Sequence, residues 1–108
     1  MSSLSTHVLD TASGKPAAGV RVVLRQGGSV LADGLTDADG RLRAFPELAA
    51  GRYALAFHVA DYFRKAGVVL SDPPFLDVVT VDFGLGASGH MHVPLLIAPY
   101  GYSTYRGS

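Results

Sequence analysis

Apolar side chains recur at every second position in several short runs, and clusters of Gly, Pro and Asp separate the runs. That is the period of β-strands with one buried face, joined by tight turns. Over residues 4–9, Leu4, Thr6 and Val8 point one way and Ser5, His7 and Leu9 the other. Residues 10–19 hold turn formers, with Lys15-Pro16 fixing the chain ahead of the next strand. Residues 20–26 place Val20, Val22 and Leu24 on a core face with Arg21 and Arg25 opposite, and Gly27-Gly28 predicts a hairpin into residues 30–35. The Asp-Ala-Asp-Gly run at 37–40 is the strongest turn signal, and it determines where Arg41 points.

A short strand is predicted at 42–45, cut off by Pro46. Residues 52–59 alternate cleanly, with Tyr53, Leu55, Phe57 and Val59 against Ala54, Ala56 and His58. The alternation breaks at 61–67, where Asp61 as N-cap and Gly67 as C-cap predict a helix of about two turns. Further strands are expected at 75–83, 90–97 and 102–105. Pro94 falls inside one of them; because it has no N–H to give a ladder, a bulge is expected there. The sum is an all-β, antiparallel Greek-key sandwich of about eight strands with one short helix, forming a single domain over residues 1–108.

Composition narrows the function. Nine basic residues balance nine acidic ones, so no net field favours nucleic acid or an anionic membrane as a partner. There is no cysteine, which removes disulfides, thiolate nucleophiles and cysteine zinc sites. The first residues carry no basic segment followed by an apolar run, and no window is apolar enough for a membrane helix, so a cytoplasmic protein is expected.

The candidate chemistry lies in the histidines and the carboxyl end. His90 and His92 are two apart and share a strand face; His7 sits at mid-strand. Three imidazoles invite a zinc reading, but no carboxylate stands at a spacing that would orient them. The other reading is metal-free acid–base chemistry, in which a neutral imidazole takes a proton from water and Arg41 stabilises charge on a carbonyl oxygen or grips a flat polar ligand. Arg43, two residues on, competes with Arg41 for that role. His58, Arg21, Arg25, Arg52 and Arg64 fit structural or solvated positions, and Tyr53, Tyr62 and Tyr100 fit packing. The tail Tyr102-Ser-Thr-Tyr-Arg-Gly-Ser108 is aromatic and rich in donors, unlike an ordinary frayed end, and Gly107 is read there as a bend.

That tail, with Leu4-Ser-Thr-His-Val-Leu-Asp10, Thr36-Asp-Ala-Asp-Gly-Arg41 and His90-Met-His-Val-Pro-Leu-Leu96, resembles the 5-hydroxyisourate hydrolases, the transthyretin-like enzymes of urate breakdown. The resemblance spans essentially the whole chain. It implies a transthyretin-like sandwich that opens a ring of the purine-derived substrate 5-hydroxyisourate to give 2-oxo-4-hydroxy-4-carboxy-5-ureidoimidazoline, with no metal or other cofactor. It also implies a homotetramer, a dimer of dimers with sites at the subunit interface. By motif it carries His7, Arg41 and His92 into the site, and the terminal signature adds Tyr105, Arg106 and Ser108. His7 and His92 would position and deprotonate water, and Arg41 would bind and polarise substrate. Tyr105 and Ser108 would line the pocket, with Ser108 also a candidate for the chemistry. His90 has no such match and is taken as support or surface. The apolar run Leu95-Leu96-Ile97 and the Ala54–Ala56 face would suit a partner subunit.

Two other functions fit the same fold, which therefore does not decide between them. One is a non-catalytic small-molecule carrier of the transthyretin kind. The other is a structural sandwich module, whose turns resemble residues 14–20, 36–40 and 51–53. Neither needs the histidines or the tail.

Overall fold

The computed structural model describes residues 1–107. Its elements are β1 (Ser2–Asp10), β2 (Lys15–Pro16), β3 (Arg21–Gln26), β4 (Ser29–Leu35), β5 (Arg41–Leu42), β6 (Gly51–His58), α1 (Val59–Lys65), β7 (Val78–Leu85), β8 (Gly89–Ala98) and β9 (Gly101–Thr104). They form two sheets. One runs β2-β1-β8-β9, with β5 on the same edge of β1 as β2; the other runs β4-β3-β6-β7. Every pairing is antiparallel except β1 with β8, which run parallel from Ser2↔Gly89 to Asp10↔Ile97.

The expected two-sheet sandwich is what forms, and the alternation explains why. Leu4 and Val8 of β1 and Val93, Leu95 and Ile97 of β8 face Val22 and Leu24 of β3 and Leu55 and Phe57 of β6. All are buried, and each contributes roughly 1.5–3 kcal/mol by leaving water. The alternate residues of β1, Ser3, Ser5 and His7, therefore turn to the outer face of their sheet.

Several boundaries differ from expectation. The helix begins at Val59, and His58 rather than Asp61 is its N-cap. The carbonyl of Asp77 accepts the N–H groups of both Val59 and Ala60 at 3.1 Å, so a backbone oxygen from the approach to β7 replaces a side-chain cap. Burial of Val59, Ala60 and Phe63 draws the helix two residues towards the core, leaving Asp61 in its first turn. Gly67 does close it, at φ +81°, with Gly67 N–H donating to Arg64 and Val68 N–H to Phe63.

With the Asp77 carbonyl on the helix, β7 starts at Val78, opposite His58, instead of at residue 75, and runs on to Leu85. The strand expected at 42–45 ends at Leu42, because the Phe45 amide turns back to the Arg43 carbonyl. Pro94 makes no bulge: β8 keeps unbroken register against β1, where Pro94 stands opposite His7. On its other side the β9 ladder stops at Leu95↔Thr104 and resumes at His92↔Gly107, so the position without an N–H falls in the gap. Leu95 and Ile97 are fully buried in the core, and Leu96 alone of that run faces outward, so the run is not the partner surface expected of it.

Candidate functional site

Register builds the site. His7 is paired with Arg41 on one side of β1 and with Pro94 on the other, and Ser5 is paired with His92. Directly paired residues share a face, as do residues two apart on one strand. The outer face of this sheet therefore collects Arg41 from β5, Ser3, Ser5 and His7 from β1, and His90 and His92 from β8. Three of the expected site residues, far apart in sequence, become near neighbours.

The Asp37–Gly40 turn clamps two of them. Asp37 Oδ1 accepts the amides of Asp39 and Arg41 at 2.9 and 3.0 Å. These bonds favour the charged carboxylate: that from Arg41, the largest cause, and that from Asp39 hold the Asp37 carboxyl below its ordinary range. Gly40, at φ +75°, sits where a Cβ would lie 2.3 Å from the Val8 carbonyl, so only glycine lets the turn press against β1. That approach carries the Asp39 carbonyl to the imidazole, where His7 Nε2–H donates to it at 2.8 Å. The neutral His7 ring then keeps its lone pair on Nδ1. The Arg41 guanidinium has no hydrogen-bond or ion-pair partner among the described residues. Arg43, exposed beyond the end of β5, has no strand opposite it.

His92 is half-buried, and its Nδ1 is 2.7 Å from Ser5 Oγ. Burial pushes its pKa below the ordinary 6.5, and the neighbouring charges of His7, Arg41 and His90 push the same way; a hydrogen bond from the ring to the Ser5 backbone opposes them. The ring is thus held neutral at neutral pH, as a proton acceptor must be.

The carboxyl end reaches this ring. Gly107 N–H donates to the His92 carbonyl at 2.9 Å, and a Cβ on Gly107 would stand 2.6 Å from His92 Cδ2. Gly107 is required by close approach, not by the bend expected of it. Tyr105 and Arg106 line a hollow of about 270 Å³ with Val81, Phe83, Met91 and Val93, and no hydrogen bond joins either to His7, Arg41 or His92 among the described residues. Ser108 lies outside the described residues.

His90, expected as support or surface, is exposed and also tied to two serines of β1. Its two ring nitrogens lie 2.6 Å from Ser3 Oγ and 2.8 Å from Ser5 Oγ. The signal available was the shared two-residue spacing of Ser3, Ser5 and His7 and of His90 and His92, which interlock only once β1 and β8 are known to be parallel neighbours. No group of three His, Cys, Asp or Glu among the described residues is arranged to hold a metal ion. Tyr62, expected to pack, also donates to Asp10 Oδ2 at 2.8 Å.

The family model described as HIUase/Transthyretin family matches residues 4–107. A 5-hydroxyisourate hydrolase of Caulobacter vibrioides is 57% identical over 115 aligned positions, covering 100% of both chains. The structure of Klebsiella pneumoniae 5-hydroxyisourate hydrolase superposes with a TM-score of 0.89 at 44% identity, covering 100% of both chains. Sea bream transthyretin in complex with thyroxine superposes with a TM-score of 0.87 at 29% identity, over 96% of this chain and 93% of that one. The chain belongs to the HIUase/Transthyretin family, and its fold is the transthyretin-like sandwich.

Proposed function

We propose that this protein is a 5-hydroxyisourate hydrolase acting in purine degradation, and that His7, Arg41 and His92 perform the reaction. The observation that carries the assignment is the convergence of these side chains on one sheet face, in a chain whose hydrolase relatives match it end to end. His92 takes a proton from water as its oxygen adds to the carbonyl carbon of the cyclic amide. Arg41 faces the oxygen that becomes negative and stabilises it. Collapse breaks the ring C–N bond, and the leaving nitrogen takes the proton back from His92. His7, held by Asp39, orients the water or the substrate through Nδ1. No step calls on a metal or other cofactor.

The cluster lies on an open face, whereas three hollows of the single chain are lined elsewhere, by Arg25, Arg52 and Asp82, by Tyr62 and Lys65, and by Phe83 and Tyr105. A site that admits one attacking water but must keep out bulk solvent therefore needs a cover. A second copy supplies one in a homotetramer, a dimer of dimers. The exposed rings of Tyr100, Tyr102 and Tyr105 beside edge strand β9 suit such burial better than water. No helix is long and apolar enough to cross a membrane among the described residues, in keeping with an enzyme of a small soluble substrate.

The test follows the ultraviolet decay of freshly made 5-hydroxyisourate with and without the protein. Accelerated decay that saturates with substrate is expected. Decay at the spontaneous rate, together with tight binding of an unreacted ligand, would establish the carrier function instead.

A further inference from the structure

A line of hydrogen bonds runs outward from His92. Ser5 Oγ lies 2.7 Å from His92 Nδ1 and 2.8 Å from His90 Nε2, and Ser3 Oγ lies 2.6 Å from His90 Nδ1 and 3.5 Å from the Gly89 carbonyl oxygen. Each hydroxyl has one proton, and each neutral imidazole has one N–H. The Gly89 carbonyl can only accept, so Ser3 donates to it and receives the proton of His90 Nδ1–H. His90 Nε2 is then an acceptor and takes the Ser5 hydroxyl proton. Ser5 Oγ, its proton engaged, accepts from His92 Nδ1–H, and His92 Nε2 keeps its lone pair. The opposite polarity would forgo the Ser3–Gly89 contact and put the proton on Nε2. Ser5 is only 6% exposed, so water cannot readily replace either imidazole as its partner.

We infer that Ser5 and His90 are positioning residues that hold His92 in its Nδ1–H tautomer, with Nε2 bare and ready to accept a proton. The inference rests on the reading of His92 as the base. It gives a purpose to a histidine that touches no expected site residue except through a serine. The ring nitrogen that makes the supporting bond decides which nitrogen is left for chemistry. Charged or titratable groups facing His92 come from each packed strand, His7 from β1, Arg41 from β5 and His90 from β8, and all three disfavour a second proton on the ring.

Nitrogen-15 spectra of histidine-labelled, ligand-free protein read the tautomer directly. The wild-type protein is expected to show His92 protonated at Nδ1 and bare at Nε2. Ser5→Ala is expected to mix the tautomers and lower kcat roughly tenfold with KM nearly unchanged. His90→Phe, which keeps a ring but offers no acceptor, should behave like Ser5→Ala. His90→Gln places an amide oxygen near the old Nε2 and should restore most of both signals. Because His90 is exposed, this pair carries the test should Ser5→Ala fail to fold. A wild-type His92 protonated at Nε2, or an unchanged tautomer in both Ser5→Ala and His90→Phe, overturns the inference. The spectra need no substrate, so that result is distinct from failure of the hydrolase reading, which shows as spontaneous-rate decay with wild-type protein.

Discussion

Gly107 and His92 are locked together: the Gly107 amide donates to the His92 carbonyl at 2.9 Å, and the glycine leaves no room for a side chain against the imidazole. The carboxyl end thus braces a candidate catalytic ring from the side opposite β1. Gly107→Ala would bring a methyl group to 2.6 Å from His92 Cδ2, and either the ring or the tail must move. The expected result is a fall in kcat/KM of about tenfold or more, equivalent to ~1.4 kcal/mol of transition-state stabilisation, with little change in Tm. Steady-state kinetics beside a thermal melt separate the two effects.

Replacing either proposed histidine removes a proton carrier or its partner without opening a core cavity. His92→Asn and His7→Asn should each lower kcat by about 10²–10⁴-fold while the far-ultraviolet circular dichroism stays unchanged. Near-wild-type turnover in both variants would end the assignment of this face as the active site.

Because His92 is held neutral, the pH profile should differ from that of a free imidazole. Its pKa is below 6.5, so the acid limb of kcat/KM should fall below pH 6.5 and the rate should be flat through neutrality. Stability follows with the same sign. The unfolded chain binds this proton more readily than the folded one, so the contribution is fully present above pH 6.5 and is lost as pH falls through the folded value. An acid limb at or above 6.5 in the wild-type protein would contradict the assignment of His92 as the base.

Gly40 is needed both for its positive φ and for its approach to the Val8 carbonyl. Gly40→Ala should cost about 2–4 kcal/mol in denaturant unfolding. Any folded fraction should also lose activity, because the displaced turn no longer holds His7 or presents Arg41.

Away from the site, Tyr62 ties α1 to the end of β1 through Asp10, which is 4% exposed. Burial and then this bond push the tyrosine pKa up to about 12. Burial would also raise the Asp10 pKa, but bonds from Ser13, Tyr62 and Ala12 outweigh it and hold the carboxyl below 3.8. Tyr62→Phe should cost about 1–2 kcal/mol in urea melts at neutral pH with turnover intact. The Asp10 contribution, present above pH 3.8, should disappear as the pH falls through the lowered value.

The sandwich was legible because alternation is a local signal: Val22 and Leu24, or Leu55 and Phe57, announce a buried face within a few residues. The turn at 37–40 and the Gly67 helix end were legible for the same reason, since their residue types carry the required backbone. Boundaries failed where a distant group intervened. The Asp77 carbonyl moved the start of the helix, and the unpaired amide position at Pro94 was absorbed by a gap in a neighbouring ladder rather than by a bulge.

What the amino-acid order determined by itself was the set of strands, their inward faces, and the presence of two histidines, an arginine and an unusual tail in family motifs. Which of these meet was decided only by the tertiary structure. Pairing direction and register depend on contacts more than eighty residues apart, such as Ser5 with His92. The parallel β1–β8 register sets Ser5 between His90 and His92, and the return of the tail along β8 sets Gly107 against the His92 ring. Strand periodicity has no term for partners, so no local pattern could have announced either arrangement.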